Sequence, residues 1–348
     1  MRQVAFVFDP DCLLHDTGEH PERPARLSGI AEAVREAGQP FVQWARPRPA
    51  SEEEVGRVHW PAYLDYLRRL AESGGGMPDQ DTVVSPDSYR VALLGAGGAI
   101  VGVEMVTSGD VESAFIATRP PGHHAGPGNA AGFCLVNNVA VAAAHARDVL
   151  GLERILIVDF DAHHGNGTQA IFEQDPRVLL LSIHEYPFYP GTGALRDVGR
   201  GAGRGFTVNV PISAGSGDEA YADIFDRVVE PVARAYRPQL ILSSAGYDAH
   251  WRDPLCLLEV TTAGFAAITS RLAGLADELC ERRLVLVLEG GYDLEALGAS
   301  VVATLAALGG AEAVDPIGQP EMPYGADVGP TIAEVRRAHP WWFTGTAR

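Results

Sequence analysis

A chain of 348 residues with 46% hydrophobic and 21% charged residues is long enough to bury a large core and too apolar to be disordered. Its 45 acidic against 27 basic residues give a formal charge of −18, a surface that repels phosphate backbones and argues against nucleic-acid binding. Four separated cysteines, Cys12, Cys134, Cys256 and Cys280, form no CxxC pair, which argues against a disulfide framework and makes the cytoplasm the expected location.

In chain order, MRQVAFVFDP carries a short apolar run ended by Asp9 and Pro10, which reads as a first strand (4–8) and is too short for a signal-peptide core. SAFIAT (113–118) is the next strand candidate, followed by an Ala-rich helix over 138–150. RILIVDF (154–160), VLLLSI (178–183), FTVNV (206–210), LILSS (240–244) and LVLVLE (284–289) continue the series. Most are apolar at consecutive positions, as strands buried on both faces must be. Residues 265–279 place Phe265, Ile268, Leu272, Leu275 and Leu279 at helical spacing after the possible caps Thr261 and Thr262. The Pro- and Gly-containing stretch 309–330 reads as an irregular surface segment, and 331–348 as a tail with a last short helix. No stretch is expected to approach membrane-spanning length, so no membrane partner is expected. The alternation predicts an α/β chain organised as one domain over 1–348, an open and mainly parallel sheet flanked by helices.

In such sheets ligands bind beyond the carboxyl ends of the strands. Four strand candidates end in reactive residues: His123 and His124 after the first, Asp159, Asp161, His163 and His164 after the second, Tyr247, Asp248 and His250 after the third, and Tyr292 after the fourth. Asp161 and His163, two apart in extended backbone, point the same way and can grip one ion. Asp248 is the best-placed third ligand. Two carboxylates and one imidazole leave an open coordination position, the catalytic pattern for Zn2+, and the same set accepts Fe2+. The tandem histidines follow a stiff Pro-Pro-Gly turn and suit proton transfer near neutral pH, with Asp159 and Asn166 as candidate orienting partners. Tyr292, after two glycines, can donate to a developing oxyanion.

At these residues the sequence resembles the histone deacetylase superfamily, including the bacterial deacetylase-like and acetylpolyamine amidohydrolases. The matching stretches are HPERPARL (20–27), RPPGHHAGPGNAAGFCLVNNVAVAA (119–143), ILIVDFDAHHGNGTQ (155–169), LSIHEYPFYPGTG (181–193), VNVPISAGSGD (208–218), LILSSAGYDAHWRDPL (240–255) and VLEGGYDLEAL (287–297). The resemblance implies the three-layer arginase/deacetylase fold and an amidohydrolase that removes acetyl or other acyl groups from lysine by attack of a metal-activated water. It implies zinc at Asp161, His163 and Asp248, and His124 as general base and then acid. His123 would be an electrostatic partner bonded to Asp159, and Tyr292 the oxyanion donor. Phe133, Gly132 and Tyr189 match the walls of an acyl-lysine channel, and Arg26 a buried arginine at the cavity floor. A structural K+ would involve Asp159, Asp161, His163 and Ser182, and a second would lie around Phe172, Asp175, Val178 and Phe206. Asp81 is a looser match to a rim residue.

Two departures are informative. Asn166 stands where some relatives carry aspartate, which should lower the basicity of His124. Residue 165 is glycine, so the second metal of arginase-type D-x-H-x-D sites is not expected. The substrate reading is an acylated lysine in a protein or peptide, with small acylated amines such as acetylpolyamines as the alternative. Leu255 in DPL and a short early loop (73–88) lean away from polyamines, while the charge of −18 leans toward them. A binding protein that had lost turnover would be expected to lack a ligand, a histidine of the pair or the tyrosine, and all are present.

Overall fold

The computed structural model describes residues 2–344, so the last four residues of the 331–348 tail lie outside it. Eight strands form one sheet: β1 (Val4–Val7), β2 (Val42–Ala45), β3 (Ser113–Ile116), β4 (Ile155–Asp159), β5 (Val178–Glu185), β6 (Thr207–Ile212), β7 (Leu240–Ala245) and β8 (Leu284–Leu288). Their order is β2-β1-β3-β8-β7-β4-β5-β6, and every pairing is parallel. Apolar side chains on both faces of most strands explain why consecutive positions are hydrophobic. Val4 and Phe6 enter one core while Ala5 and Val7 enter the other, across the sheet.

The early strands run from β3 toward one edge and the middle strands from β4 toward the other, with β8 and β7 filling the gap between. Such a reversal leaves a crevice at the carboxyl ends of the strands. The register levels that edge: Ile116 pairs with Val287, Val287 with Ser244, and Ser244 with Asp159. The four loaded strand ends are therefore neighbours, at one height.

The helix over Thr262–Leu279 begins where the sequence indicates, its N-cap Thr261 accepting from the Gly264 N–H at 3.0 Å. The Ala-rich helix covers Asn138–Asp148, capped by Asn137. The last short helix is Gly329–Ala338, and the segment between Gly310 and Val328 holds no regular element. One expectation is corrected. The helix Ser88–Ser108 is, by length and composition, apolar enough to cross a membrane. Two-thirds of its apolar window is nevertheless buried inside the protein. Its glycines explain that burial, because a Cβ at Gly97 would sit 1.8 Å from the Arg48 carbonyl and one at Gly102 would sit 2.5 Å from Ile116. Edge strand β2 has no counterpart among the expected strands, since its four residues include the exposed Gln43 and Trp44 and present no apolar run.

Candidate active site

The turn after β4 brings Asp161 and His163 together, and the turn after β7 brings Asp248 to them. His163 Nδ1 lies 3.2 Å from Asp161 Oδ1 and 2.9 Å from Asp248 Oδ2. Two donors each about 2.0 Å from a tetrahedral ion would be roughly 3.3 Å apart, so the trio is spaced to close on one cation. The carboxylates are pinned by backbone N–H groups: Asp161 Oδ2 by Gly290 at 2.9 Å, Asp161 Oδ1 by His163 at 2.8 Å and Asp248 Oδ1 by Ala162 at 2.9 Å. Gly290 has to be glycine, since a Cβ there would lie 2.2 Å from Asp248 and 2.7 Å from Asp161.

Both aspartates are fully buried. Burial works against charge on His163, yet its bonds to Asp161, Asp248 and Cys256 hold its pKa well above the ordinary histidine value. Two buried carboxylates thus call for positive charge between them, which a divalent cation would supply. The far side of the ring, Nε2, faces the Cys256 thiol at 3.7 Å. Cys256 has no counterpart in the sequence motifs as a site residue, because only the fold brings it to His163.

His123 and His124 lie side by side with ring centroids 4.0 Å apart and planes tilted by 45°. His123 Nδ1 bonds Asp159 Oδ2 at 3.0 Å, and His124 Nδ1 bonds Asn166 Oδ1 at 2.7 Å. Burial opposes charge on His123, but Asp161, Asp159 and Glu289 outweigh it and push its pKa up to about 10. His124 goes the other way: burial, then the neighbouring His123 and His163, hold it well below the usual value. One ring is cationic and the other neutral. An amide oxygen only accepts, so His124 carries its hydrogen on Nδ1 and presents Nε2 as a free base.

Asp161, His163, His123 and His124 line one end of a cavity of about 240 Å³. Pro121, Gly132, Phe133, Phe188, Tyr189, Leu255, Gly290 and Tyr292 wall it, and Asp81 stands among them. Phe133 holds a left-handed backbone (φ 69°), tied at its N–H to the Thr82 hydroxyl at 3.1 Å. Phe188, stacked on His163 at 5.5 Å, is a wall residue inside a matching stretch, given no role in the sequence reading. It directly precedes Tyr189, so the EYPFYP stretch contained the signal.

Tyr292 packs edge-on against Phe133 at 5.8 Å, and the Arg26 guanidinium lies over its ring at 4.9 Å. Burial raises the tyrosine pKa well above its usual value, so the hydroxyl remains a donor. Arg26 is buried beneath the Gly290–Tyr292 turn, donating to the Gly291 and Glu289 carbonyls at 2.6 Å each. Asp253, given no role in the sequence reading of DPL, joins two walls by accepting from the Tyr292 N–H at 2.7 Å and the Leu255 N–H at 2.9 Å.

Ser182 does not face the cavity. It pairs with Asp159 across the sheet, and its hydroxyl meets His184 Nδ1 at 2.9 Å. Around the second expected K+ position, the carbonyls of Phe172, Asp175 and Phe206 accept backbone N–H bonds at 2.9, 3.3 and 2.9 Å, each keeping one lone pair.

Gly132 adopts φ 51°, and a Cβ there would lie 2.4 Å from His124 Cδ2. Gly132→Ala should displace the His124 ring and lower turnover by roughly tenfold to a hundredfold, as ångström-scale misplacement does. Steady-state kinetics at unchanged metal content checks this, and full activity in the variant would refute it.

Residues 20–308 match the histone deacetylase domain model. A probable deacetylase of Archaeoglobus fulgidus is 42% identical over 312 residues, covering 88% of this chain and 86% of that one. A histone deacetylase-like amidohydrolase of Pseudomonas aeruginosa is 38% identical over 313 residues, covering 84% and 82%. The crystal structure of the HDA15 HD domain superposes with a TM-score of 0.90 at 37% identity, over 99% of this chain and 97% of that one. The parallel sheet, the crevice at its switch point and similarity over most of the chain agree: this protein belongs to the histone deacetylase family and has the arginase/deacetylase fold.

Proposed function

We propose that the chain is a zinc-dependent hydrolase that removes acetyl or other acyl groups from the side-chain amine of lysine in proteins or peptides. The observation that carries this reading is an aromatic-walled cavity lined by Asp161, His163, a neutral His124 and a protonated Tyr292, with Asp248 bonded to His163 behind them. Asp161, His163 and Asp248 would hold the cation, Zn2+ or Fe2+. When bound, it supplies Lewis-acid polarisation of the amide carbonyl.

The protein's own groups do the rest. His124 Nε2 takes a proton from the attacking water and returns it to the departing amine. The His123 cation, fixed on Asp159, stabilises the negative charge that builds beside it. Tyr292 donates a hydrogen bond to the oxyanion. Phe133, Phe188 and Tyr189 enclose an apolar stem, which suits the methylenes of lysine. A structural K+ near Asp159, Asp161, His163 and Ser182 belongs to the same reading. So does a reducing, cytoplasmic setting, supported by four buried and unpaired cysteines. The small-amine alternative draws on the acidic balance of the chain and on Asp81 in the cavity wall. The apolar Leu255 at the wall favours lysine over a second cationic amine.

A panel of acetyl-lysine peptides, longer acyl-lysines and acetylpolyamines, assayed on one metal-defined preparation, tests the reading. Tyr292→Phe should lower kcat by about 10²–10³-fold with metal content unchanged, the usual cost of losing one oxyanion donor. If the metal-loaded protein cleaves no acylated amine of any kind, the hydrolase reading is wrong.

A further inference from the structure

The turn that carries the tandem histidines has a backbone problem. Pro120 and Pro121 offer no N–H, and the first donors after them, Gly122 and His123, lie buried beyond the end of β3 with no strand beside them to accept. Both are satisfied by one atom. Glu289 Oε2, from the residue that follows β8, accepts from Gly122 N at 2.6 Å and from His123 N at 3.1 Å. We infer that Glu289 is a positioning residue whose carboxylate clamps the histidine turn from below and thereby sets where His123 and His124 stand.

Glu289 is itself fixed at both backbone atoms. Its N–H donates to the Ala245 carbonyl at 3.0 Å, and its carbonyl accepts from Arg26 Nη2 at 2.6 Å. The next residue, Gly290, donates to Asp161, and Tyr292 follows two residues on. One short turn therefore ties together the histidine pair, a metal-facing aspartate and the tyrosine. The opposite side of the histidine turn is held independently, since the His123 carbonyl accepts from Thr168 N at 3.1 Å, on the helix that carries Asn166. The rings are thus located between two anchors, one from β8 and one from the helix after β4. Among the described residues the other carboxylate oxygen, Oε1, is buried without a hydrogen-bond partner, so the side chain's hydrogen bonding there is confined to the two N–H groups.

The inference rests on the hydrolase reading for its kinetics but not for its geometry, so the experiment has two readouts. Glu289→Ala removes the acceptor, whereas Glu289→Gln keeps an oxygen able to take both N–H bonds. In Glu289→Ala, kcat on the best substrate of the panel should fall on the order of 10²-fold, with KM and metal content unchanged. Amide hydrogen exchange over residues 119–125 should accelerate in that segment alone. Glu289→Gln should keep exchange protection close to wild type and lose much less kcat than Glu289→Ala, the remaining loss reflecting one fewer negative charge beside His123. Wild-type kcat and protection in Glu289→Ala would overturn the inference. So would Glu289→Gln falling as far as Glu289→Ala with its metal in place, because charge rather than acceptance would then be the role. Should Glu289→Ala fail to fold, Glu289→Gln decides by the same two readouts. If the wild-type protein hydrolyses nothing, the exchange data still judge the clamp, and only the hydrolase reading falls.

Discussion

Stripping the protein of divalent metal is expected to abolish hydrolysis, and one equivalent of Zn2+ per chain is expected to restore it. The reason is electrostatic. Asp161 and Asp248 are fully buried and face each other across His163 Nδ1. Isolated carboxylates are costly in such a place unless a cation compensates them. Without metal, the nearest compensation is a proton on His163, which the two carboxylates favour strongly. A protonated ring cannot be a ligand, so metal uptake should release a proton and weaken as the pH falls.

Stability should follow occupancy. A ligand present at about a thousand times its Kd stabilises by roughly 4 kcal/mol, which for a chain of this size is a rise in Tm of about 5 °C. Scanning calorimetry of the stripped and reloaded protein, with metal content measured alongside, checks both halves. Activity that survives full metal removal would exclude this site as the catalytic centre. Reconstitution with Fe2+ and Zn2+ separately, at matched occupancy, shows which of the two supports faster turnover.

Much of the architecture was legible because its signals are local. Strands buried on both faces must be apolar at consecutive positions, and six of the eight strands carry that mark, while β6 alternates Val208 and Val210 with Thr207 and Asn209. β2 does not, because an edge strand with Gln43 and Trp44 toward solvent has no such run. The helix Ser88–Ser108 runs against the expectation that no stretch approaches membrane-spanning length. Its apolar length resembles a membrane span, and only its glycine contacts with Arg48 and Ile116 reveal a core helix. The site's outline was legible because chemistry gathers at strand ends. That β3, β8, β7 and β4 are neighbours was not, since sheet order is a property of crossovers and not of any one segment. The supporting residues share that difficulty. Cys256 reaches His163 across 93 positions and Glu289 reaches His123 across 166, and no local pattern marks either contact.

Replacing His124 by Ala is expected to lower kcat by about 10²–10⁴-fold while leaving metal content intact, the range for loss of a positioned general base. The argument turns on protonation. His124 is held neutral by burial and by positive charge beside it, on His123 and at the His163 site, and its Nδ1–H is spent on Asn166. A base must be unprotonated to work, so activity should rise with pH through the His124 pKa and already be high where an ordinary histidine would still be half charged. Asn166→Asp sharpens the test. A carboxylate 2.7 Å from Nδ1 would favour the charged ring and raise its pKa. The acid limb of the kcat/KM profile should then move to higher pH, with faster proton removal from the attacking water by the stronger base in partial compensation. A profile that is identical in wild type and Asn166→Asp would show that His124 is not the titrating base, and the assignment would pass to His123, the other ring beside the cavity.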